Sequence, residues 1–159
     1  GTPLLVQLFL IYYGLPGLGI TLSRMLSAYL ALGLNSGAYQ AEYLRGAILA
    51  LPPGQIEAAR AYGMTPWQTL RRVTLPGMLP YALPGLSNLW LVVTKDTALL
   101  AVVGFNELVL ETRQAAGTTK AYFTFFMAAG ALYLAITLIS GVILSRIENR
   151  AARGLPKVA

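Results

Sequence analysis

Six carboxylates and twelve lysine or arginine side chains supply nearly all the charge of this 159-residue chain, which has neither Cys nor His. Thiolate chemistry, disulfides, thiolate or imidazole zinc sites and imidazole proton relays are therefore excluded. A Ser–His dyad is impossible, and a paired-aspartate site fails because Asp96 is the sole aspartate. A nucleotide-binding loop needs Gly-Lys-Ser/Thr. Lys95, Lys120 and Lys157 follow Thr94, Thr119 and Pro156 instead. What remains are charges set inside apolar sequence, where ionisable groups are costly and default to functional hypotheses. Lys95 and Asp96 are adjacent, so on a helix they point about 100° apart and each needs its own partner or a wet cavity. Asn88, Val92 and Lys95 share a face. Opposite charges here suit a substrate that carries both an ammonium and a carboxylate. A fixed cross-helix network, for example with Glu107, would look the same in sequence. Asn35, Tyr39, Glu42 and Gly46 also share one helical face. Glu42 and Arg45, three apart, read as a structural pair, whereas Asn35 and Tyr39 fit either helix packing or cavity lining.

These groups must be carried by membrane helices. The chain is 56% hydrophobic and 11% charged, with mean hydropathy +0.61, against about 25% charged residues in a soluble domain. Spanning stretches of about 20 apolar residues are expected at 4–20, 22–51, 81–103 and 122–144. The first is interrupted by Gly14 and Pro16-Gly17. Arg24 and Arg45 bracket about 31 Å of helix, close to the hydrocarbon thickness of about 30 Å. The net charge of +6 need not mean nucleic acid, which is not expected as a partner, because loop arginines set orientation. Arg60, Arg71 and Arg72 in 52–80 and Arg146, Arg150, Arg153 and Lys157 in the tail outnumber Glu57 and Glu148. These segments are expected inside. The balanced segment 104–121, with Glu107, Glu111, Arg113 and Lys120, is expected outside. No internal repeat is visible. The chain opens at Gly1 without a methionine or signal peptide, and is read as a piece lacking N-terminal sequence.

The polar insert EAARAYGMTPWQTLRRVTLP, residues 57–76, has the grammar of two short helices. Pro52-Pro53-Gly54 ends the preceding span. Gln55–Tyr62 holds good helix formers, and Gly63 is placed for a left-handed cap. Thr65 is a natural N-cap, Pro66 stands at the first helical position, and Gln68 can complete a capping box. The second helix is predicted over Trp67–Val73, stopped by Pro76. Neither piece is long enough to be stable alone, so each must pack on something. One reading is an interfacial hairpin, with Trp67 at the headgroups and the arginines on anionic lipid. The other is a docking element that presents Glu57, Ala58, Ala59 and Gly63 to a second subunit.

The pattern Glu57-Ala58-Ala59, Gly63, then Val73-x-Leu75-Pro76 resembles the EAA loop of bacterial ABC-importer permeases, with Val73 in place of the usual Ile. Gly1–Gln7 is similar to the start of an early span in polar-amino-acid permeases. Tyr39-x-x-Glu42-x-x-Arg45-Gly46 resembles the segment before their EAA loop, and Lys95-Asp96-Thr97 resembles their fourth-span motif. Arg113-Gln114-Ala115-Ala116, followed by Gly117-Thr118-Thr119-Lys120, is similar to the branch for basic amino acids and opines. The resemblance covers nearly the whole chain. It implies an all-α, polytopic permease subunit of the bacterial inner membrane, with four of the family's five spans in residues 1–159. It also implies that the EAA loop, residues 52–80, forms cytoplasmic coupling helices. Glu57, Ala58, Ala59, Gly63, Leu75 and Pro76 would meet an ATP-binding subunit that holds ATP and Mg, this chain holding no cofactor. A second permease chain, alike or different, and an extracytoplasmic substrate-binding protein would complete the importer. Asn35, Tyr39, Lys95, Asp96 and Glu107 are the expected pathway groups, and acidic Asp96 and Glu107 suit a cationic ligand. The chain would be no enzyme. A passive channel or membrane scaffold is the alternative reading.

Overall fold

The computed structural model describes residues 2–152. Arg153 and Lys157 of the basic tail, and Gly1, lie outside the described residues. Every element in those residues is helical. The first apolar stretch forms α1, Leu4–Leu18. It is irregular: an α turn at Leu4–Phe9 passes into a π turn at Leu10–Gly14 and a 3-10 turn at Leu15–Leu18. Pro16 falls in the 3-10 turn and Gly19 ends it in the left-handed region, φ +80°. The second stretch is α2, Arg24–Leu49. Pro53 then opens α3, Pro53–Ala61, with the ring at the first helical position, where no N–H is needed.

The next element departs from expectation. Pro76 does not stop a helix, and no separate span begins at Tyr81. A single helical run, α4, extends from Pro66 to Val103, through a π turn at Leu70–Thr74 and a 3-10 stretch at Thr97–Val103. Two features make this possible. The π turn, closed by Leu75 N–H to the Leu70 carbonyl, widens the helix just before Pro76, where a proline ring would otherwise press on the carbonyl four residues back. Beyond it, Met78 and Ala82 pack with Ala47 and Leu51 of the preceding segment. That burial holds the helix through Pro80 and Pro84, despite the N–H groups the prolines lack.

Segment 104–121 also contains a helix not anticipated from sequence, α5, Leu108–Thr119. The last helix, α6, runs from Tyr122 to Ala151, seven residues past the expected Leu144, and its extension carries Arg146, Glu148 and Arg150. The Pro66–Val103 and Tyr122–Ala151 runs are long and apolar enough to cross a membrane. Only 6% of the apolar window of Tyr122–Ala151 is buried. A soluble core helix would be mostly buried, so this apolar surface is suited to lipid.

The residues divide into two compact units. One comprises Gly1–Ala38 and Trp90–Gly141, and its core is Leu4, Leu8, Ala28, Ala31, Leu100 and Val103. The other comprises Tyr39–Leu89 and residues 142–152, and its core is Ala47, Leu51, Met78 and Ala82. In the second unit side chains of the preceding segment press close on the α4 backbone. A Cβ built on Gly85 would fall 2.6 Å from Cδ1 of Tyr43, and one on Gly77 would fall 2.9 Å from Cδ2 of Leu51. Glycine at both places lets α4 lie against its neighbours.

Candidate coupling surface and membrane-embedded polar groups

The turn from α3 to α4 follows the chemistry its residues prescribe. Gly63 takes φ +74°. Gly63 N–H donates to the Arg60 carbonyl at 2.9 Å and Met64 N–H to the Ala59 carbonyl at 3.1 Å, the paired bonds of a Schellman cap. Immediately afterwards Thr65 caps α4. Its Oγ1 accepts from Gln68 N–H at 3.3 Å, and Gln68 Oε1 accepts from Thr65 N–H at 2.9 Å. The capping box is complete. Two helix ends are thus satisfied within six residues, and the turn needs no outside help to hold its shape.

On this frame Glu57, Ala58, Gly63, Leu75 and Pro76 are exposed. Ala59 is different: at 4% exposure it belongs to the interior. A Cβ on Gly63 would meet nothing within 4 Å, so the surface beside it is open. Tyr62, 86% exposed, and Trp67, 66% exposed, flank Gly63 with large aromatic faces. Tyr62 was not singled out from sequence, although an aromatic next to the capping glycine is a usable sign of a contact surface. A cavity of about 550 Å³ lies behind α3, lined among others by Gln55, Ala58, Tyr62, Arg72 and Tyr81.

The polar residues set in the apolar helices separate into three kinds. Asn35 is structural: its Nδ2 donates to Gln7 Oε1 and to the Thr2 carbonyl, both at 3.4 Å. Gln7 Nε2 in turn donates to Thr2 Oγ1 at 2.6 Å. This cross-helix amide contact gives Asn35 a packing partner on the first helix. Glu42 and Arg45 pair at 2.6 Å on an exposed face, as their spacing predicts. Tyr39 is exposed.

Lys95 and Asp96 end the α-helical stretch of α4, where it tightens to 3-10. Lys95 is exposed and Asp96 half-buried. Glu107 does not join them. Its Oε1 accepts from Leu110 N–H at 2.7 Å. Its Oε2 accepts from Val109 N–H at 2.9 Å and from the Tyr133 hydroxyl at 3.2 Å. It is the N-cap of α5, tied to α6. The competing account, a fixed network with Lys95, is absent among the described residues, where Glu42–Arg45 is the only ion pair. The physical reason is local: two backbone donors at a helix start hold the carboxylate at once, whereas Lys95 would have to be brought to it. Tyr133, 26 residues away, carried no sequence signal.

The family of binding-protein-dependent transport system inner membrane components matches residues 1–153. The octopine transport system permease protein OccQ of Rhizobium radiobacter is 41% identical over 169 residues, covering 99% of this chain and 71% of the relative. The histidine/lysine/arginine/ornithine permease protein HisQ of Escherichia coli is 39% identical, covering 99% of this chain and 74% of the relative. A crystal structure of an amino acid ABC transporter with histidines superposes with TM-score 0.85 at 40% identity, over 94% of this chain and 70% of that one. The methionine ABC transporter MetNI in an inward-facing conformation shares the fold, with TM-score 0.78 at 24% identity, over 96% of this chain and 70% of that one. The all-α fold is therefore that of an ABC-importer permease, and the chain belongs to the binding-protein-dependent transport inner membrane components as a permease subunit.

Proposed function

We propose that this permease subunit serves an ATP-driven importer of polar amino acids, of the basic class or the related opines. In this reading residues 52–80 are cytoplasmic and dock on a separate ATP-binding subunit that holds ATP and Mg. Segment 104–121 is extracytoplasmic and meets a substrate-binding protein. A second permease chain, the same or different, completes the pathway. The observation that carries the reading is mechanical. The capping box at Thr65 is the start of the same helical run that continues to Val103. A push on the α3–α4 turn therefore enters a helix directly, with no loop in between, which is what a lever between a nucleotide-driven subunit and a membrane bundle requires. Glu57, Ala58, Gly63, Leu75 and Pro76 lie exposed along this element. Ala59 supports it from within.

The basic-substrate assignment is supported by relatives described as octopine, nopaline and histidine/lysine/arginine/ornithine permeases. It also fits the one acidic candidate left free of an internal task. Glu107 is occupied, so Asp96 is the carboxylate available to a cationic substrate, with Lys95 beside it for a carboxylate. Glu107 keeps a positioning role, and so does Asn35. Uptake of radiolabelled arginine and glutamine by the complex reconstituted in proteoliposomes tests this. ATP should be required. Asp96→Asn should lower arginine uptake by about tenfold, the worth of one charge-assisted bond, and glutamine uptake by much less. Uptake without ATP, or a protein that purifies with no ATPase, would return the chain to the channel reading.

A further inference from the structure

We propose that the cavity between the end of α2, α3 and the start of α4 binds an anionic phospholipid, with the phosphate at Arg60 and the first acyl carbons along Ile48 and Leu70. The cavity holds about 530 Å³, and its walls include Ile48, Ile56, Met64 and Leu70, with Arg60 and Thr69 as polar groups. Four observations point to this occupant. Thr69 is 6% exposed and its Oγ1 has no partner. Four helix threonines, Thr94, Thr112, Thr118 and Thr119, send their hydroxyl to the carbonyl four residues back at 2.6–3.0 Å, and Thr69 does not. An unmet buried hydroxyl is destabilising, so a ligand oxygen that reaches it gains what the fold leaves unpaired.

Arg60, on the same cavity, is exposed and has no carboxylate within ion-pair distance among the described residues. The depth also fits. If Arg24 and Arg45 bracket the hydrocarbon core, Ile48 lies about 4–5 Å beyond it. The headgroup layer is about 5–7 Å thick on each side. Finally, Leu44 is exposed one turn from Ile48 on the same face, so an apolar track leads from the cavity into the core. Apolar walls of this extent are wasted on a free phosphate, whereas an amphiphile uses both halves of the site. The cavity shares α3 and the α3–α4 turn with the proposed docking element, but none of Glu57, Ala58, Gly63, Leu75 and Pro76 lines it.

Native mass spectrometry of the intact protein in mild detergent tests the assignment, with phosphatidylglycerol, phosphatidylethanolamine and inorganic phosphate as probes. One phosphatidylglycerol should be retained in preference to phosphatidylethanolamine. Arg60→Gln should weaken retention by about tenfold and Thr69→Val, which keeps the shape, by about threefold to fivefold. Arg60→Lys should restore most of the preference, which separates lost charge from lost fold. Equal retention of the two lipids, or indifference to Arg60→Gln, would overturn the proposal. So would displacement of the lipid by millimolar inorganic phosphate, which would mark a site for free anions. Loss of the lipid on adding the ATP-binding subunit would overturn it as well, by giving the cavity to that partner.

Discussion

The two polar segments between apolar helices treat their charges in opposite ways. In the insert, backbone geometry is closed by small and neutral groups: Gly63 in the left-handed region, and Thr65 and Gln68 in the capping box. The ionic side chains Glu57, Arg60, Arg71 and Arg72 take no part and stand exposed. In segment 104–121 the carboxylate itself is the cap, with three donors on Glu107. At the same level of structure, the Arg24 guanidinium donates to the carbonyl of left-handed Gly104 at 3.3 Å. One segment is self-sufficient without its charges and leaves them for a partner. The other uses the Glu107 carboxylate for its own shape, while its Glu111, Arg113 and Lys120 stay exposed. Net charge per segment, the quantity a topology rule counts, does not see this difference.

The largest effect should come from breaking the insert at Gly63. Gly63→Val forces a β-branched residue into a left-handed conformation, at about 1–3 kcal/mol of local strain. A Cβ there meets nothing within the chain, so no internal clash adds to it. Membrane insertion should survive, while ATP-driven uptake should fall by at least about tenfold as the turn loses its geometry. Gly63→Asn sharpens the result, because asparagine tolerates this conformation. If Asn restores uptake, backbone conformation is what the glycine supplies. If Asn fails as badly as Val, the glycine is needed for close approach of the ATP-binding subunit. Normal uptake with Gly63→Val would remove the lever from the account.

These two segments also mark what the sequence made legible. The insert was readable because caps are local: Thr65, Pro66 and Gln68 act within four residues, and Gly63 acts on its own helix end. Its far boundary was not. In sequence Pro76 predicts a stop, and only a π turn upstream, together with Met78 and Ala82 packed on Ala47 and Leu51, explains why the helix passes through it. Segment 104–121 was legible as polar and little more. The capping role of Glu107 was within reach of local reading, since an acidic residue precedes the run Leu108–Leu110 and Glu111 follows in the first turn. Its bond to Tyr133 depends on two helices meeting, and no periodicity encodes that. Likewise Asn35 showed its helix face in the sequence, but not whether Gln7 or a cavity lay opposite.

A middle-sized effect should follow from Glu107→Ala. It removes two charge-assisted cap bonds and the Tyr133 contact, so a loss of about 1–3 kcal/mol is expected, read as a lower melting temperature in detergent. Tyr133→Phe removes one bond of the three and should cost about 0.5–1.5 kcal/mol. The order of the two variants is the informative part. If Glu107→Ala abolished uptake with no drop in melting temperature, the carboxylate would belong to the pathway after all, and the contrast between the segments would narrow.

The smallest effect should come from Glu42→Ala. The pair with Arg45 is short, at 2.6 Å, but both side chains are about two-thirds exposed. An exposed pair three residues apart gains little, because water competes for both charges and two long side chains must be held in one geometry. The melting temperature in detergent should therefore not move measurably, and 0.5 M salt should not change that outcome, as a screened interaction has little left to lose. A clear destabilisation would place this face against protein or lipid in the assembled importer, where the lost partner leaves Arg45 desolvated and unpaired. The contrast drawn between the insert and segment 104–121 would then extend to a third site, in which charge is kept for an interface and held by a neighbour until the interface forms.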